Sequence, residues 1–176
     1  MEIIVYGSQY GTAKRYAEEL AEKTGIELKS YEEVKNISDH KTIIYIGGLY
    51  ASSVLGMKKT FKKIKDINNK RVIIATVGIA DPNNSENIET IRNGMKRQLP
   101  ADVYNEAYIF HLRGGIDYQK LNFKHRSLMK LLYKKAVSLP EGQKTPEIKA
   151  MIETYGKQVD FVDLDSLEPV IDAITP

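Results

Sequence analysis

The segment Ser8-Gln9-Tyr10-Gly11-Thr12-Ala13 is the part of this 176-residue chain best suited to hold a ligand. It lies between the apolar, β-branched run Ile3–Tyr6 and the residues Ala13, Tyr16, Ala17, Leu20 and Ala21, which recur at helical spacing. A strand therefore passes into a helix here. A helix start exposes unpaired N–H groups and the positive end of the helix dipole, which together suit a phosphate. Gly11 lets the backbone approach a ligand closely, and Ser8 and Thr12 supply hydroxyl donors. No lysine follows the glycine, so this is not a triphosphate loop, and it is not a G-x-G-x-x-G turn. Hydroxyls and N–H groups without a fixed cation suit a monophosphate. An ordinary helix cap would use the same residue types, because Ser and Thr are preferred caps.

Two further loops could converge on the first. Gly47-Gly48-Leu49-Tyr50-Ala51-Ser52-Ser53 follows the apolar run Thr42–Ile46, and Thr76-Val77-Gly78-Ile79-Ala80-Asp81-Pro82 closes the run Val72–Val77. Ile26 to Tyr31 alternates weakly and reads as another strand, and Tyr108–Phe110 lies in a fifth, over about 105–111. Helices are predicted over 12–24, 32–36, 55–67 and 85–98 from the spacing of residues such as Met57, Phe61 and Ile64, or Ile88, Ile91 and Met95. Strands alternating with helices indicate an α/β fold, with a parallel sheet covered on both faces.

In the first loop the pattern resembles that of the flavodoxins, with Tyr10 where a hydroxyl residue is usual and Ala13 in place of the last threonine. The resemblance implies a doubly wound five-stranded parallel sheet of order 2-1-3-4-5, with FMN at the switch point between the first and third strands. It assigns the cofactor to Ser8, Gln9, Tyr10, Gly11, Thr12 and Ala13, to Gly48, Leu49, Tyr50 and Ala51, and to Thr76, Val77, Gly78 and Ile79. Tyr50 would flank the isoalloxazine ring, and the backbone around Gly78 would meet its pyrimidine edge.

Composition excludes several other chemistries. With no cysteine there is no disulfide, thiolate metal site, iron–sulfur cluster or thiol nucleophile. The three histidines, His40, His111 and His125, form no i,i+4 pair, so no metal site is expected. Hydrophobic content of 42% with 28% charged residues suits a globular domain rather than a disordered one. No run approaches a membrane span, and the start lacks the features of a signal peptide. The expected location is the cytoplasm, with one domain over 1–176 and any redox chemistry supplied by a cofactor.

After the fifth strand the alternation breaks into a helical insertion over about 112–157. From His111 to Lys144 the segment carries a net charge of +6, which leaves −3 for the rest of a chain of net +3. Asn122 to Val137 reads as a basic amphipathic helix, Thr145-Pro146-Glu147 as a helix start, and about 165–174 as a last helix. Phe123, Leu128, Met129, Leu131, Leu132 and Tyr133 form an apolar sector among lysines and Arg126. That sector could pack on the sheet with its charges solvated, or lie on an anionic membrane surface at the inner face.

The beginning of the insertion, His111-Leu112-Arg113-Gly114-Gly115-Ile116-Asp117-Tyr118, leads into Leu128-Met129-Lys130-Leu131-Leu132. Over nearly its full length the chain resembles the menaquinone-dependent protoporphyrinogen dehydrogenases. It departs from them after the third strand, where Tyr50-Ala51-Ser52-Ser53 stands for their Arg-Tyr-Gly. The resemblance implies an FMN-dependent oxidoreductase with a quinone or porphyrin-type substrate, contacted by Arg113, Tyr118 and Lys120. The alternative is a flavodoxin-like electron carrier with a protein redox partner. Soluble carriers of that kind are acidic, whereas this chain has a pI near 8.8. Nucleic acid is not an expected partner, since no recognition motif accompanies the charge.

Overall fold

The computed structural model describes residues 1–50, 53–64 and 66–175. Five strands form the parallel sheet: β1 (Glu2–Gly7), β2 (Leu28–Ser30), β3 (Thr42–Tyr50), β5 (Arg71–Gly78) and β6 (Tyr108–Arg113). Their order is β2-β1-β3-β5-β6, and a two-residue strand, β4 (Ser53–Val54), pairs antiparallel with the end of β3. This is the expected flavodoxin-like order with one short addition. The chain leaves β1 toward one edge and returns to fill the other side. The carboxyl ends of β1 and β3 therefore bound a crevice at the reversal of direction.

The runs in β1, β3 and β5 are largely apolar because both faces of these inner strands are buried. Ile3, Val5, Ile43, Tyr45, Val72 and Ile74 enter one core, while Ile4, Ile44, Ile46, Ile73 and Ala75 enter the other. The first core is closed by α2 (Met57–Phe61), α3 (Ser85–Lys96) and α4 (Ala101–Glu106). The second is closed by α1 (Thr12–Thr24) and α7 (Glu168–Asp172), through Tyr16, Leu20 and Val170. Pro169 sits in the first turn of α7, where its missing N–H costs no helical bond.

Several predicted elements change. Residues 32–36 form no helix; the chain only turns over 31–33, where Ser30 and Glu33 bond each other's backbone N–H. Among the described residues the helix expected over 55–67 is regular only from Met57 to Phe61, and α4 lies outside the predicted elements, since Val103 is its one fully buried residue. The last helix begins as a 3-10 turn, Leu164–Leu167.

The insertion is a compact cap. It contains β7 (Gly115–Asp117), α5 (Phe123–Ser138), α6 (Pro146–Thr154) and β8 (Gln158–Asp160). β7 and β8 pair antiparallel and clasp its base. Asn122 caps α5 by accepting from His125 N–H, and Thr145 caps α6 by accepting from Ile148 N–H. The cap has its own core of Ile116, Tyr118, Leu121 and Met129, against which Leu132, Met151 and Tyr155 pack. Tyr133 and Tyr155 stack with ring centroids 4.0 Å apart. The Tyr16 hydroxyl, wholly buried in α1, donates to Arg113 C=O at 2.7 Å and accepts from Asp163 N–H at 2.9 Å. One side chain thus ties both ends of the cap to the sheet.

Candidate functional site

The loop after β1 turns at Gly11, whose φ of +91° is a conformation that favours glycine. Gly11 N–H donates to Ser8 Oγ at 3.1 Å. The Ser8 hydroxyl therefore acts as an acceptor within the loop and keeps its own proton for an outside acceptor. No acid stands in the first turn of α1, and no side chain caps its start. Its N–H groups and dipole consequently face the loop without a competing carboxylate. These are the features a phosphate requires.

Beside this turn lies a cavity of about 550 Å³ walled by all three expected loops. Its volume is in the range of ordinary small-molecule sites. Ser8, Gln9, Tyr10, Thr12, Gly48, Leu49, Tyr50, Val77, Gly78 and Ile79 line it. The rings of Tyr10 and Tyr50 lie 6.5 Å apart, and burial, followed by the neighbouring Tyr50, pushes the Tyr10 phenol up to about 12. Gly11 faces a separate groove on the other side of the loop. Two of the expected residues turn their side chains away from the cavity. Ala13 points into the core of the sheet, and Thr76 is turned away to bond His111 Nδ1 at 2.7 Å. Ala51 lies outside the described residues.

The cap roofs this cavity. Gln9 donates its amide N–H to His125 Nε2 at 2.7 Å, Tyr10 Oη donates to Met129 Sδ at 3.4 Å, and Leu132, Ala136, Ile148 and Met151 extend the apolar wall. Glu147, in the first turn of α6, reaches the loop after β5. Its carboxylate accepts from Ile79 N–H at 3.1 Å and from Ala80 N–H at 3.0 Å. On the other side, Arg113 Nε donates to Ile79 C=O at 2.9 Å. Ile79 therefore has both backbone groups engaged by protein. A Cβ at Gly78 would lie 2.6 Å from Leu49 Cδ1 and 3.1 Å from Glu147 Oε2, so the absent side chain makes room for this closure.

The three residues expected to contact substrate are not among those that line this cavity. The guanidinium of Arg113 lies 3.8 Å from the centre of the Phe161 ring, so this side chain fastens the cap. Tyr118 is buried in the cap core edge-on to Tyr155, with its phenol raised to about 12 chiefly by burial. Lys120 is 83% exposed beside Asp117. The polar groups that do line the cavity beyond the loops include Arg97, Gln98, Lys135 and Asn87. Asn87 is 2% exposed; its Nδ2 donates to Asp81 C=O, and its Oδ1 has no hydrogen-bond partner among the described residues. The apolar sector expected on α5 is split. Met129 is buried and Leu128, Leu132 and Tyr133 are half-buried, whereas Phe123 and Leu131 face outward.

Among the described residues no group of His, Asp and Glu could hold a metal, and no helix is long and apolar enough to cross a membrane. A family model for the flavodoxin domain matches residues 3–141, and the chain belongs to that family. No curated protein sequence matches it. Among solved structures, an azoreductase, AzrA, aligns at 6% identity and a TM-score of 0.47, covering 86% of this chain and 94% of its own. A flavoprotein in complex with FMN from Lactobacillus acidophilus NCFM aligns at 12% identity, TM-score 0.41, over 64% of this chain and 91% of its own. A flavodoxin from the domain Archaea aligns at 16% identity, TM-score 0.39, over 64% and 84%. Likenesses of this size decide nothing further; membership rests on the family match.

Proposed function

We propose that the chain is an FMN-dependent oxidoreductase acting on a small, largely apolar substrate beneath the cap. The observation that carries this reading is the continuity of one cavity from the three loops to the apolar faces of α5 and α6. FMN is the cofactor the site fits: an acid-free helix start for its phosphate, and an apolar, tyrosine-flanked slot for its ring. When bound it supplies the hydride and electron chemistry. The chain's own residues bind and enclose. The first-turn N–H groups of α1, with the Ser8 and Thr12 hydroxyls, would hold the phosphate. Leu49, Tyr50, Val77 and Ile79 would wall the ring, and Leu132, Ile148 and Met151 would exclude water. Arg97 and Lys135 offer cations to an acidic substituent on the substrate.

The menaquinone-linked protoporphyrinogen dehydrogenases that the insertion resembles are the specific form of this proposal. A carrier presents its flavin edge to a docking protein, and a basic cap over the loops does not suit that task. Purified protein should carry a flavin band at about 450 nm, the cofactor's own property. After anaerobic reduction it should be reoxidised rapidly by a water-soluble menaquinone analogue, and the oxidised protein should be reduced by protoporphyrinogen. Loss of the substrate reading follows if the flavin ignores both and passes single electrons to a protein acceptor. Absence of flavin after reconstitution removes the whole proposal.

A further inference from the structure

The outward face of α5 packs on nothing among the described residues, and its composition differs from the rest of the surface. Phe123 is 86% exposed, Leu131 65% and Val137 47%. Only Met1 and Tyr108 join them as exposed large hydrophobics among the described residues. Scattered exposed apolar residues are ordinary, but three on one face of one 16-residue helix form a patch. Phe123, Lys130, Leu131, Lys134 and Val137 follow the spacing i, i+7, i+8, i+11 and i+14, and Lys124 flanks Phe123. Lys124, Lys130 and Lys134 are exposed, and none makes an ion pair among the described residues. α5 contains no acid at all. Its inner face is already used by Met129 and Ala136, so the outer face is not needed for folding.

We propose that this face rests on an anionic lipid surface, with Phe123, Leu131 and Val137 entering the headgroup boundary and Lys124, Lys130 and Lys134 meeting lipid phosphates. Charge complementarity selects the occupant. An unopposed row of cations on an otherwise slightly acidic protein favours a polyanionic plane, and lysine stems can lie along the apolar patch while their ammonium groups reach the headgroups. A second copy of the same face would bring like charges together and is disfavoured. Docked in this way, α5 would place the capped cavity next to the bilayer, although the docking itself does not depend on what the cavity holds.

Flotation of the full-length protein with vesicles tests this. Vesicles of phosphatidylcholine with one third phosphatidylglycerol should carry the protein, and vesicles of phosphatidylcholine alone should not. Each lysine near the surface contributes about 1 kcal/mol, so Lys124→Gln, Lys130→Gln and Lys134→Gln together should weaken binding by roughly 100-fold. Phe123→Ser with Leu131→Ser should abolish the part of the binding that survives high salt. None of these residues lines the cavity, so the flavin band and circular dichroism should stay unchanged and report a folded protein. Equal binding to both vesicles, no binding to either, or binding that ignores the substitutions overturns the proposal. So does a concentration-dependent dimer that Phe123→Ser with Leu131→Ser dissolves.

Discussion

Replacing Glu147 should loosen the roof of the cavity, and the size of the effect follows from its two bonds. The carboxylate accepts from Ile79 N–H at 3.1 Å and Ala80 N–H at 3.0 Å, joining α6 to the loop after β5. A hydrogen bond to a charged group contributes about 1.5–3 kcal/mol when its donor is otherwise unpaired and buried. The site borders an open cavity, so water can satisfy part of the demand. Glu147→Ala should therefore cost about 1–3 kcal/mol in total, or roughly 2–12 °C in Tm for a chain of this size. Glu147→Gln keeps one carbonyl oxygen as acceptor and turns a donor toward the second N–H, so its cost should be nearly as large despite the shared shape. The assay is thermal unfolding together with amide exchange resolved at Ile79 and Ala80. Both amides should exchange faster in either variant, while amides in the centre of β5, such as Ile73 and Ile74, keep their protection. Unchanged Tm with unchanged exchange at Ile79 and Ala80 would refute the role given to Glu147.

Tyr16→Phe removes the hydroxyl that serves Arg113 C=O and Asp163 N–H, two part-buried groups at the base of the cap. It should lower stability by about 1–3 kcal/mol in urea unfolding and increase proteolysis at the cap's junctions. Burial, and then the charge of Arg92, lowers His111 from 6.5 to about 4. The folded state thus binds fewer protons than the unfolded one. Its stability should be complete above about pH 6.5 and fall as the pH drops toward 4, by less than about 3 kcal/mol. His111→Gln should flatten that part of the denaturation profile. Tyr10→Ala removes an aromatic wall of the slot and should weaken FMN binding by roughly 2- to 12-fold in fluorescence titration, from an aromatic contribution of about 0.5–1.5 kcal/mol.

The parallel sheet and the helix start at Gly11 were readable because each depends on residues close in sequence. Doubly buried strands are continuous apolar runs, and a strand–Gly–Thr–helix junction announces an anion site. Thr145-Pro146-Glu147 was legible as a helix start for the same reason, yet the function of Glu147 was not, because its partners lie 68 and 67 residues away. Nothing in the local pattern distinguishes a first-turn acid that meets its own helix dipole from one that crosses to another loop. The side-chain directions of Ala13 and Thr76 are not legible in the motif, which gives a position and not a direction. Ala13 falls on the buried stripe of α1, and Thr76 takes the face of β5 that bonds His111. Tyr118 and Arg113 carry polar ends suited to a substrate, but the three-residue strand β8, too short for any alternation signal, draws the chain back and places Phe161 against Arg113 and Tyr155 against Tyr118. The apolar residues of α5 illustrate the same limit: Leu132 and Leu131 are neighbours in sequence, and one lines the cavity while the other faces out.

Hydrogen–deuterium exchange of the protein with and without FMN tests most directly the claim that the cofactor sits at the start of α1 beneath the cap. Peptides covering Ser8–Ala13, Leu49–Tyr50 and Val77–Ile79 should gain protection on binding, and so should peptides of α5 and α6 that carry Leu132, Ile148 and Met151. Protection confined to Ser8–Ala13, or absent from all three loops, would contradict the account.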